Sequence, residues 1–367
     1  MLRVALDATS LLGNPTGIGR AVRGALGGLA SRDDLELTVY ALSWRGRGTL
    51  GAVVPPGVAV ATRPMAAGVL LRAWQRCPAP PVEWWTGPLD VVHGANFVVP
   101  PTRSAAQVVS VWDLTAVRYP QMCTPTSRRY PALVRAALAR GAFVHTASRA
   151  VADEVIELLG ASPERVRVVA PGIPDNPALG AAPPDPGARR YVLALGTVEP
   201  RKDLPGLVAA FATVAARHRD VDLRIVGPAG WGEEALAAAI AASPVRERIK
   251  RTGWVADTGP LLAGAAALAY PSRYEGFGFP PLEAMQAGVP VVATSAGALP
   301  EVLGDAALLV PVGEPQALAD ALDQVLGQPA LAARLVDAGH QRVTRFSWQD
   351  MAGGLVSLYH DAVAGLG

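Results

Sequence analysis

The chain has 367 residues, half of them hydrophobic and 17% charged, and this composition excludes a disordered protein and allows two globular domains of ordinary size. The formal net charge of +2 at pH 7 is too small to indicate a nucleic-acid partner. The two cysteines, Cys77 and Cys123, form neither a disulfide framework nor a metal-binding spacing, which favours a reducing compartment.

Apolar runs alternate with helical patterns along the chain, which predicts parallel sheets with helices on both faces. A stretch rich in proline and glycine, 170–187, lies between the two halves and predicts a linker. The fold class is therefore α/β with two doubly wound domains, whose ligands bind beyond the carboxyl ends of the strands. We expect strands at 3–6, 36–42, 91–93, 108–112 and 144–146 in the first half, and at 191–195, 222–226, 265–270, 289–293 and 307–310 in the second.

Glycines and polar residues follow the predicted strands of the first half. Gly17 and Gly19 lie in the loop after the first strand, where a tight turn before a helix N-terminus suits a phosphate group. His93 and Asn96 lie at and just after the end of the third strand. A lone histidine such as His93 is more often structural than functional.

A basic amphipathic stretch without acidic residues covers 127–140 and contains Arg128, Arg129, Arg135 and Arg140. Such a surface can contact an anionic membrane. The alternative is an ordinary solvated face of an arginine-rich protein, and the sequence leaves both interpretations open.

A cationic pair follows the first strand of the second half. Gly196 ends that strand, and Arg201 and Lys202 lie in the loop before a helix predicted at 204–216. The planar fork of an arginine and the point charge of a lysine match a diphosphate, and they would stabilise the charge on a departing nucleoside diphosphate. The alternative is a solvated basic pair that faces Asp203.

The most informative pattern lies in 272–291, where Glu275 and Glu283 stand eight residues apart around a glycine-rich turn. Two prolines fit the first turn of the helix that follows, and Gly288 ends that helix. A strand, a glycine loop and a helix N-terminus offer N–H groups to an anion, and the carboxylates suit a polyol. Each glutamate also has a structural interpretation, Glu283 through the helix dipole and Glu275 through solvation.

This pattern resembles the signature of retaining glycosyltransferases of family 4, which have the GT-B fold of two Rossmann-like domains facing a cleft. Its wording is most similar to mannosyltransferases of polysaccharide or O-antigen assembly, and the resemblance covers nearly the whole chain. It implies an N-terminal acceptor-side domain over 1–172, a linker over 173–189 and a C-terminal nucleotide-sugar-binding domain over 190–346. It also implies that 347–367 crosses back to pack on the first domain.

The resemblance implies a role for each matching residue. Arg201, Lys202 and Glu275 become the catalytic residues, the first two on the diphosphate and Glu275 on the hydroxyls of the donor sugar. Glu283 binds the ribose. The other donor-binding residues implied are Gly17 and Gly19 from the opposite domain, Gly196, Gly227 and Val255 around the nucleotide, and Gly276, Phe277 and Gly278 around sugar and phosphate.

One position departs from the family pattern. Many relatives carry a His-Asp pair where this chain has Trp112 and Asp113. Trp112 either stacks on a sugar or fills space, and Asp113, with His93 and Asn96, is a candidate acceptor or sugar contact. The resemblance implies that the leaving phosphate itself accepts the proton of the acceptor hydroxyl. Transfer therefore remains possible without the histidine, because no protein base is required.

The function implied is a metal-independent retaining transfer of a hexose from a nucleotide sugar, without cofactor, to a saccharide or lipid-linked acceptor. GDP-mannose is the donor that the mannosyltransferase wording suggests. A binding subunit with a degenerate site and another GT-B enzyme, an epimerase or a phosphorylase, are the alternatives. A phosphorylase needs a pyridoxal lysine, and the second of the two lysines, Lys250, is expected at a helix end. With no signal-peptide pattern, we expect a cytoplasmic protein, at the inner membrane face if the basic stretch binds lipid.

Overall fold

The computed structural model describes residues 1–13, 16–174 and 189–365. Nearly all of the linker predicted over 173–189 lies outside these residues. No helix in the described part of the chain combines the length and the apolar character needed to cross a membrane.

The chain divides into two compact units, Met1–Gly172 with Phe346–Gly367, and Ile173–Arg345. The strands of the first unit are β1 (Leu2–Asp7), β2 (Leu35–Tyr40), β3 (Ala59–Val60), β4 (Val91–Gly94), β5 (Ala106–Val111), β6 (Phe143–Thr146) and β7 (Val166–Val168). They form one parallel sheet in the order β3-β2-β1-β4-β5-β6-β7, so the order of the strands reverses between β1 and β4. Its helices are α1 (Gly17–Ala30), α2 (Arg47–Leu50), α3 (Ala67–Trp74), α4 (Glu83–Thr86), α5 (Thr115–Arg118), α6 (Tyr130–Ala139) and α7 (Arg149–Leu159).

The second unit repeats this plan. Its strands are β8 (Arg190–Leu195), β9 (Val221–Val226), β10 (Ile249–Thr252), β11 (Ala267–Tyr270), β12 (Val291–Thr294) and β13 (Ala307–Val310). They form a parallel sheet in the order β10-β9-β8-β11-β12-β13, with the reversal between β8 and β11. Its helices are α8 (Leu204–Arg217), α9 (Glu233–Ala242), α10 (Gly259–Ala263), α11 (Phe279–Gln286), α12 (Leu299–Leu303), α13 (Pro315–Gly327) and α14 (Pro329–Val343).

Helix α8 shows how the sequence builds the core of the second unit. Leu207, Phe211 and Val214 recur at helical spacing, are fully buried, and pack with Val192 of β8 and Ile225 of β9. Each apolar side chain of this size contributes about 1.5–3 kcal/mol when it is removed from water. The strand supplies one face of the core and the helix supplies the other.

The last helix, α15 (Trp348–Ala364), belongs to the first unit. Ser347 caps it, because its side-chain oxygen accepts a hydrogen bond of 3.0 Å from the Asp350 N–H. Leu355 and Tyr359 on its inner face are fully buried, and the helix packs against α1 and the central strands.

The α/β fold with two doubly wound sheets is confirmed. All ten predicted strands are present, and three more, β3, β7 and β10, were not predicted. The placement of Lys250 at a helix end is wrong: it lies in β10, where its Nζ is 3.5 Å from an Asp222 carboxylate oxygen.

Candidate active site

The three residues predicted to be catalytic form one buried ion cluster. Glu275 Oε2 lies 2.6 Å from Arg201 Nη1, and Glu275 Oε1 lies 2.6 Å from Lys202 Nζ. Ser272 Oγ donates a hydrogen bond of 2.7 Å to Glu275 Oε1. The side chains of Glu275, Lys202 and Arg201 are only 8%, 12% and 16% exposed, so solvent ions screen these charges weakly.

Two neighbouring strands bring these groups together. Arg201 and Lys202 lie in a short 3₁₀ helix after β8, and Glu275 follows β11, which pairs with β8. The two loops also bind each other, since the Arg273 N–H donates to the Arg201 carbonyl at 2.8 Å and Arg201 Nη1 donates to the Tyr274 carbonyl at 2.9 Å. The cluster therefore lies where the strand order reverses, which is the usual ligand position in such sheets.

The contacts of Glu275 decide its ionisation. Burial raises the pKa of Glu275, but the charges of Arg201 and Lys202 and the hydrogen bonds it accepts outweigh burial and lower this pKa to about 2. Burial lowers the pKa of the Lys202 ammonium, against the opposing charge of Glu275. Glu199 adds a second carboxylate 3.4 Å from Arg201 Nη2. A diphosphate that binds here therefore competes with carboxylates for the same donors.

Sequence reasoning did not single out Tyr270 and Ser272. Lys202 Nζ lies 2.6 Å from the Tyr270 hydroxyl oxygen and 4.6 Å from the centre of its ring. Burial raises the pKa of the Tyr270 hydroxyl well above its usual value, so it stays protonated. Tyr270 ends the predicted strand and Ser272 opens the glutamate pattern, so their positions were the available signal. Together they hold Lys202 and Glu275 in place.

The glycine-rich turn leads into α11 as predicted. Gly278 precedes the helix with a φ of 116°, a left-handed backbone that favours glycine, and two prolines occupy the first turn. Gly276 and Phe277, predicted to orient the donor, lie in the same turn. Glu283 is the fifth residue of the helix and only 6% exposed. It lies beyond the first turn, so the helix-dipole interpretation does not account for it.

The loops after β8, β9 and β10 are bound to one another. The Gly227 N–H donates to the carbonyls of Thr252 and Gly253, both at 3.2 Å. Gly227 has a φ of 147°, and a Cβ there would lie 2.0 Å from the Gly196 carbonyl oxygen, so a side chain does not fit. Gly196, Gly227 and Val255, all predicted to line the nucleotide, therefore lie in one group of loops.

Two tryptophans in these loops were not considered in the sequence. Trp231 follows β9 and is 49% exposed, and Trp254 follows β10, directly before Val255, and is 48% exposed. Large aromatic side chains are usually buried more completely. Exposure is a property of the fold, so no sequence pattern distinguishes these two from the buried tryptophans.

In the turn of the first unit that was predicted to bind phosphate, a threonine side chain already bonds one of the glycine amides. Gly17 and Gly19 begin α1, and the Thr16 side-chain oxygen accepts a hydrogen bond of 3.1 Å from the Gly19 N–H. This amide, which the resemblance assigns to the donor phosphate, is therefore bonded to the helix cap.

His93 belongs to a chain of buried hydrogen bonds. Its Nδ1 lies 2.7 Å from the Tyr359 hydroxyl and its Nε2 lies 2.8 Å from Ser110 Oγ. Ser110 Oγ lies 2.8 Å from His145 Nδ1, and His145 Nε2 lies 2.9 Å from the Val169 carbonyl oxygen. Because a carbonyl only accepts, His145 Nε2 donates, and a neutral His145 accepts the Ser110 proton at Nδ1. The chain then continues with His93 Nε2 donating to Ser110 Oγ and His93 Nδ1 accepting from the Tyr359 hydroxyl.

The two histidines are neutral in this chain. Burial lowers the pKa of His145 to about 4 and that of His93 well below its usual range. Both ring nitrogens of His93 have partners, and the residue is 2% exposed. This environment favours the structural interpretation of His93 over a sugar contact.

The other acceptor candidates differ in their surroundings. Trp112 is 7% exposed, its Nε1 donates to the Ala95 carbonyl at 2.8 Å, and this burial favours the space-filling interpretation. Asp113 Oδ1 accepts a hydrogen bond of 2.9 Å from the Thr115 N–H at the start of α5. Asn96 Oδ1 is buried and has no partner among the described residues.

The basic stretch folds into a turn and α6. Arg128, Arg129 and Arg135 are exposed, as the membrane prediction needs. Arg140 instead donates to a side-chain amide oxygen and to a main-chain carbonyl, both at 3.0 Å, and burial lowers its pKa. Arg140 thus stabilises the fold, and the membrane prediction depends on the other three arginines.

The chain is similar to several known glycosyltransferases. Residues 189–328 match the family model described as glycosyl transferases group 1. O-antigen chain mannosyltransferase B of Escherichia coli is 29% identical over 291 residues, which cover 73% of this chain and 74% of that protein. MMP alpha-(1->4)-mannosyltransferase of Mycolicibacterium hassiacum is 34% identical over 229 residues, which cover 60% of this chain and 54% of that protein.

A solved structure has a similar fold. HepE of Anabaena, solved in complex with UDP and glucose, superimposes with a TM-score of 0.73 at 20% identity, over 97% of this chain and 99% of that one. This likeness concerns the fold, and the family match concerns the second unit. Taken with the two parallel sheets, these findings show that the chain has the GT-B fold and that its second unit is similar to the glycosyl transferases of group 1.

Proposed function

We propose that the protein is a retaining enzyme that moves a hexose from a nucleoside diphosphate sugar to a hydroxyl of a saccharide or a lipid-linked acceptor. The observation that carries this proposal is the cluster of Arg201, Lys202 and Glu275 at the reversal point of the second sheet. It combines donors for a diphosphate with an acceptor for sugar hydroxyls. Two relatives named mannosyltransferases support mannose as the hexose.

In this mechanism Arg201 and Lys202 stabilise the charge that develops on the leaving diphosphate. The bond between C1 of the sugar and the diphosphate oxygen breaks, and its electron pair stays on the diphosphate. The acceptor hydroxyl bonds to C1 on the same face and passes its proton to a diphosphate oxygen, so the step needs no protein base and no metal. Glu275, whose pKa is lowered to about 2, stays ionised and accepts hydrogen bonds from the sugar.

In this proposal, the other donor-binding residues predicted in the second unit bind the nucleoside. Glu283, buried in α11, accepts hydrogen bonds from the ribose hydroxyls. The loops that contain Gly227 and Val255 bind the base through backbone groups. Trp231 and Trp254, half exposed in the same loops, offer aromatic faces on which a base can stack.

A nucleotide-sugar-binding partner subunit with a degenerate site is the second candidate. Trp112 favours it, because the family pattern has a histidine at this position, and here a buried indole takes its place. Such a subunit binds a nucleoside diphosphate but releases none from a donor.

The test is an assay of the purified chain with GDP-mannose and with UDP-glucose, in which nucleoside diphosphate release and the anomeric configuration of the product are measured. We expect acceptor-dependent release and an α-linked product from an α-linked donor. Replacing Arg201 and Lys202 together with alanine should abolish nucleoside diphosphate binding in calorimetry. Arg217→Ala, an exposed arginine of α8, is the control and should bind like the wild type. Binding without turnover of any donor favours the partner subunit, and absence of binding refutes both candidates.

A further inference from the structure

The backbone between the two cations of the cluster and helix α8 has an unusual conformation. Asp203, which directly follows Lys202, has a φ of 47° and a ψ of 41°. Only one other non-glycine residue in the described part of the chain has a positive φ. Glycine, asparagine and aspartate adopt this left-handed backbone more readily than other residues, whose Cβ atom comes too close to a carbonyl oxygen. Residues in this region persist where the surrounding structure holds them, and they cluster at active sites and ligand clamps.

The turn at Asp203 joins the 3₁₀ helix of the cations to α8. The Asp203 N–H donates to the Pro200 carbonyl at 3.2 Å, which closes the 3₁₀ helix, and the Asp203 carbonyl accepts from the Leu207 N–H at 3.2 Å, which opens α8. The main chain therefore changes direction at this one residue. Because Arg201 and Lys202 lie immediately before it, the turn sets the direction from which their side chains enter the cluster.

Helix capping does not account for this aspartate. A capping residue normally has an extended backbone, and its side chain accepts a hydrogen bond from the first helical turn. Asp203 has a left-handed backbone, and its side chain makes no capping hydrogen bond. Its carboxyl group nevertheless lies over the first turn, because a Cβ added at Gly206 would be 3.1 Å from each carboxyl oxygen. The Asp203 side chain is only 12% exposed, so its charge needs a partner other than the helix.

That partner is Arg273, in the loop after β11. Arg273 Nη2 lies 3.1 Å from Asp203 Oδ2, and the Arg273 N–H donates to the Arg201 carbonyl at 2.8 Å. Arg273 thus binds the cation loop on both sides of Lys202. It also lies two residues before Glu275, the carboxylate that pairs with both cations. The ion pair of Asp203 and Arg273 therefore joins the loop of the cations to the loop of the carboxylate.

We propose that Asp203 and Arg273 are positioning residues, which hold the two cations of the cluster in place for the diphosphate before the donor binds. This inference rests on the proposed function of the cluster. Hydrogen-bond donors that are already in place lose little freedom when a ligand binds, so the turn increases affinity by acting through the cations. The alternative is a role in stability alone, in which variants of Asp203 unfold more easily but bind a diphosphate normally while they are folded.

Calorimetry with inorganic pyrophosphate on the full chain tests this role in three variants of Asp203. The branched Cβ of Asp203→Val opposes the left-handed backbone, so this variant should bind pyrophosphate about tenfold or more weakly. Asp203→Gly adopts that backbone without strain and loses the ion pair, so its affinity should fall by about fivefold at most. Asp203→Asn tolerates the same backbone and loses the charge, and its affinity should also fall, by about two- to fivefold.

The direction of the change in Asp203→Asn separates positioning from simple electrostatics. By charge alone, removing a carboxylate near the site would make an anion bind more tightly. Loss of the ion pair with Arg273 should instead weaken binding. Asp220→Asn is the matched control, because it makes the same change of charge at an exposed residue beyond the other end of α8. It should bind pyrophosphate like the wild type.

Urea unfolding shows whether each variant is folded, and affinity then distinguishes the two roles. The proposal is overturned if Asp203→Val binds pyrophosphate within about twofold of the wild type, or if Asp203→Gly binds it no better than Asp203→Val. Tighter binding by Asp203→Asn than by the wild type also overturns it, and this result decides the question if Asp203→Val does not fold. If the wild type binds neither pyrophosphate nor GDP, the proposed function fails and this inference with it. Normal binding by the wild type and by Asp203→Val alike overturns the positioning role alone.

Discussion

Replacing Glu275 with glutamine should make the protein bind a small anion more tightly while making it less stable. In the structure both cations of the cluster are held by this carboxylate, each at 2.6 Å. Glutamine keeps the shape and one oxygen for the hydrogen bond from Ser272, but it removes the negative charge. A phosphate group then meets Arg201 and Lys202 without a competitor.

Coulomb's law gives the size of the effect. A phosphate bound to the two cations would lie about 5 Å from the Glu275 carboxylate, where two unit charges repel by about 3 kcal/mol at an effective dielectric constant of about 20. Removing this repulsion corresponds to about 100-fold tighter binding of pyrophosphate. The cost to folding has the opposite sign, because breaking a buried ion pair from one side destabilises by about 3–5 kcal/mol. Bound pyrophosphate should restore part of that loss.

Calorimetry with pyrophosphate, and urea unfolding with and without it, measure both effects. Glu199→Gln is the matched control: it makes the same change of charge at a carboxylate 3.4 Å from Arg201, so we expect a smaller gain in affinity. Sugar transfer by Glu275→Gln should fall even though the diphosphate binds more tightly, because the sugar loses its hydrogen-bond acceptor. If Glu275→Gln binds pyrophosphate no more tightly than the wild type, the carboxylate does not compete with phosphate, and Arg201 and Lys202 are not its ligands.

Three further predictions follow from the described contacts. Tyr359→Phe removes the hydroxyl that donates to His93 and should lower the free energy of unfolding in urea by about 1–3 kcal/mol. The control Ser357→Ala, on the exposed face of the same helix, should change it by less than about 0.5 kcal/mol. The pKa values of His93 and His145 are lower in the folded state than the usual 6.5, so the unfolded state binds more protons below this pH. The free energy of unfolding should therefore fall as the pH drops from 6.5 towards the His145 pKa of about 4. A urea midpoint of unfolding that rises over this range would contradict two neutral histidines. Trp254→Leu should weaken GDP binding by about tenfold, because stacking of a base on an aromatic ring contributes about 1–3 kcal/mol. The affinity for pyrophosphate, which has no base, should stay unchanged. Equal losses of affinity for GDP and pyrophosphate would argue against stacking.

The fold was predictable wherever a strand is buried between two neighbours. All ten predicted strands are present, and each was recognised as a largely apolar run. The three missed strands, β3, β7 and β10, are all at sheet edges. β3 has two residues, β7 carries Arg167 between two valines, and Lys250 and Arg251 lie at the centre of β10. These three edge strands are very short or carry charged residues, so they leave no apolar run to detect.

The candidate site was predictable to the level of loops and no further. The sequence places Arg201 and Lys202 after β8 and Glu275 after β11. These two strands flank the point where the strand order of a doubly wound sheet reverses, so the three residues were expected in one region. The direct pairing of Lys202 with Glu275 joins residues 73 apart in sequence, and that of His93 with Tyr359 joins residues 266 apart. Local spacing holds no information on such contacts. The sequence could therefore indicate a diphosphate site without indicating that a carboxylate already occupies its donors.

The same limit explains why Asp7 escaped attention while His93 attracted it. Both lie in central strands of the first sheet, but His93 is part of a chain in which every donor meets an acceptor, from Tyr359 to the Val169 carbonyl. At or beyond the ends of strands in the same sheet, Tyr40 OH, Asn96 Oδ1 and Thr115 Oγ1 have no hydrogen-bond partner among the described residues. Because the pKa of Asp7 is raised to about 6, the folded state must ionise a buried group as the pH rises through 6, and the free energy of unfolding falls. A closed network stabilises the fold by itself, whereas the buried charge of Asp7 lowers the stability of the folded protein at neutral pH.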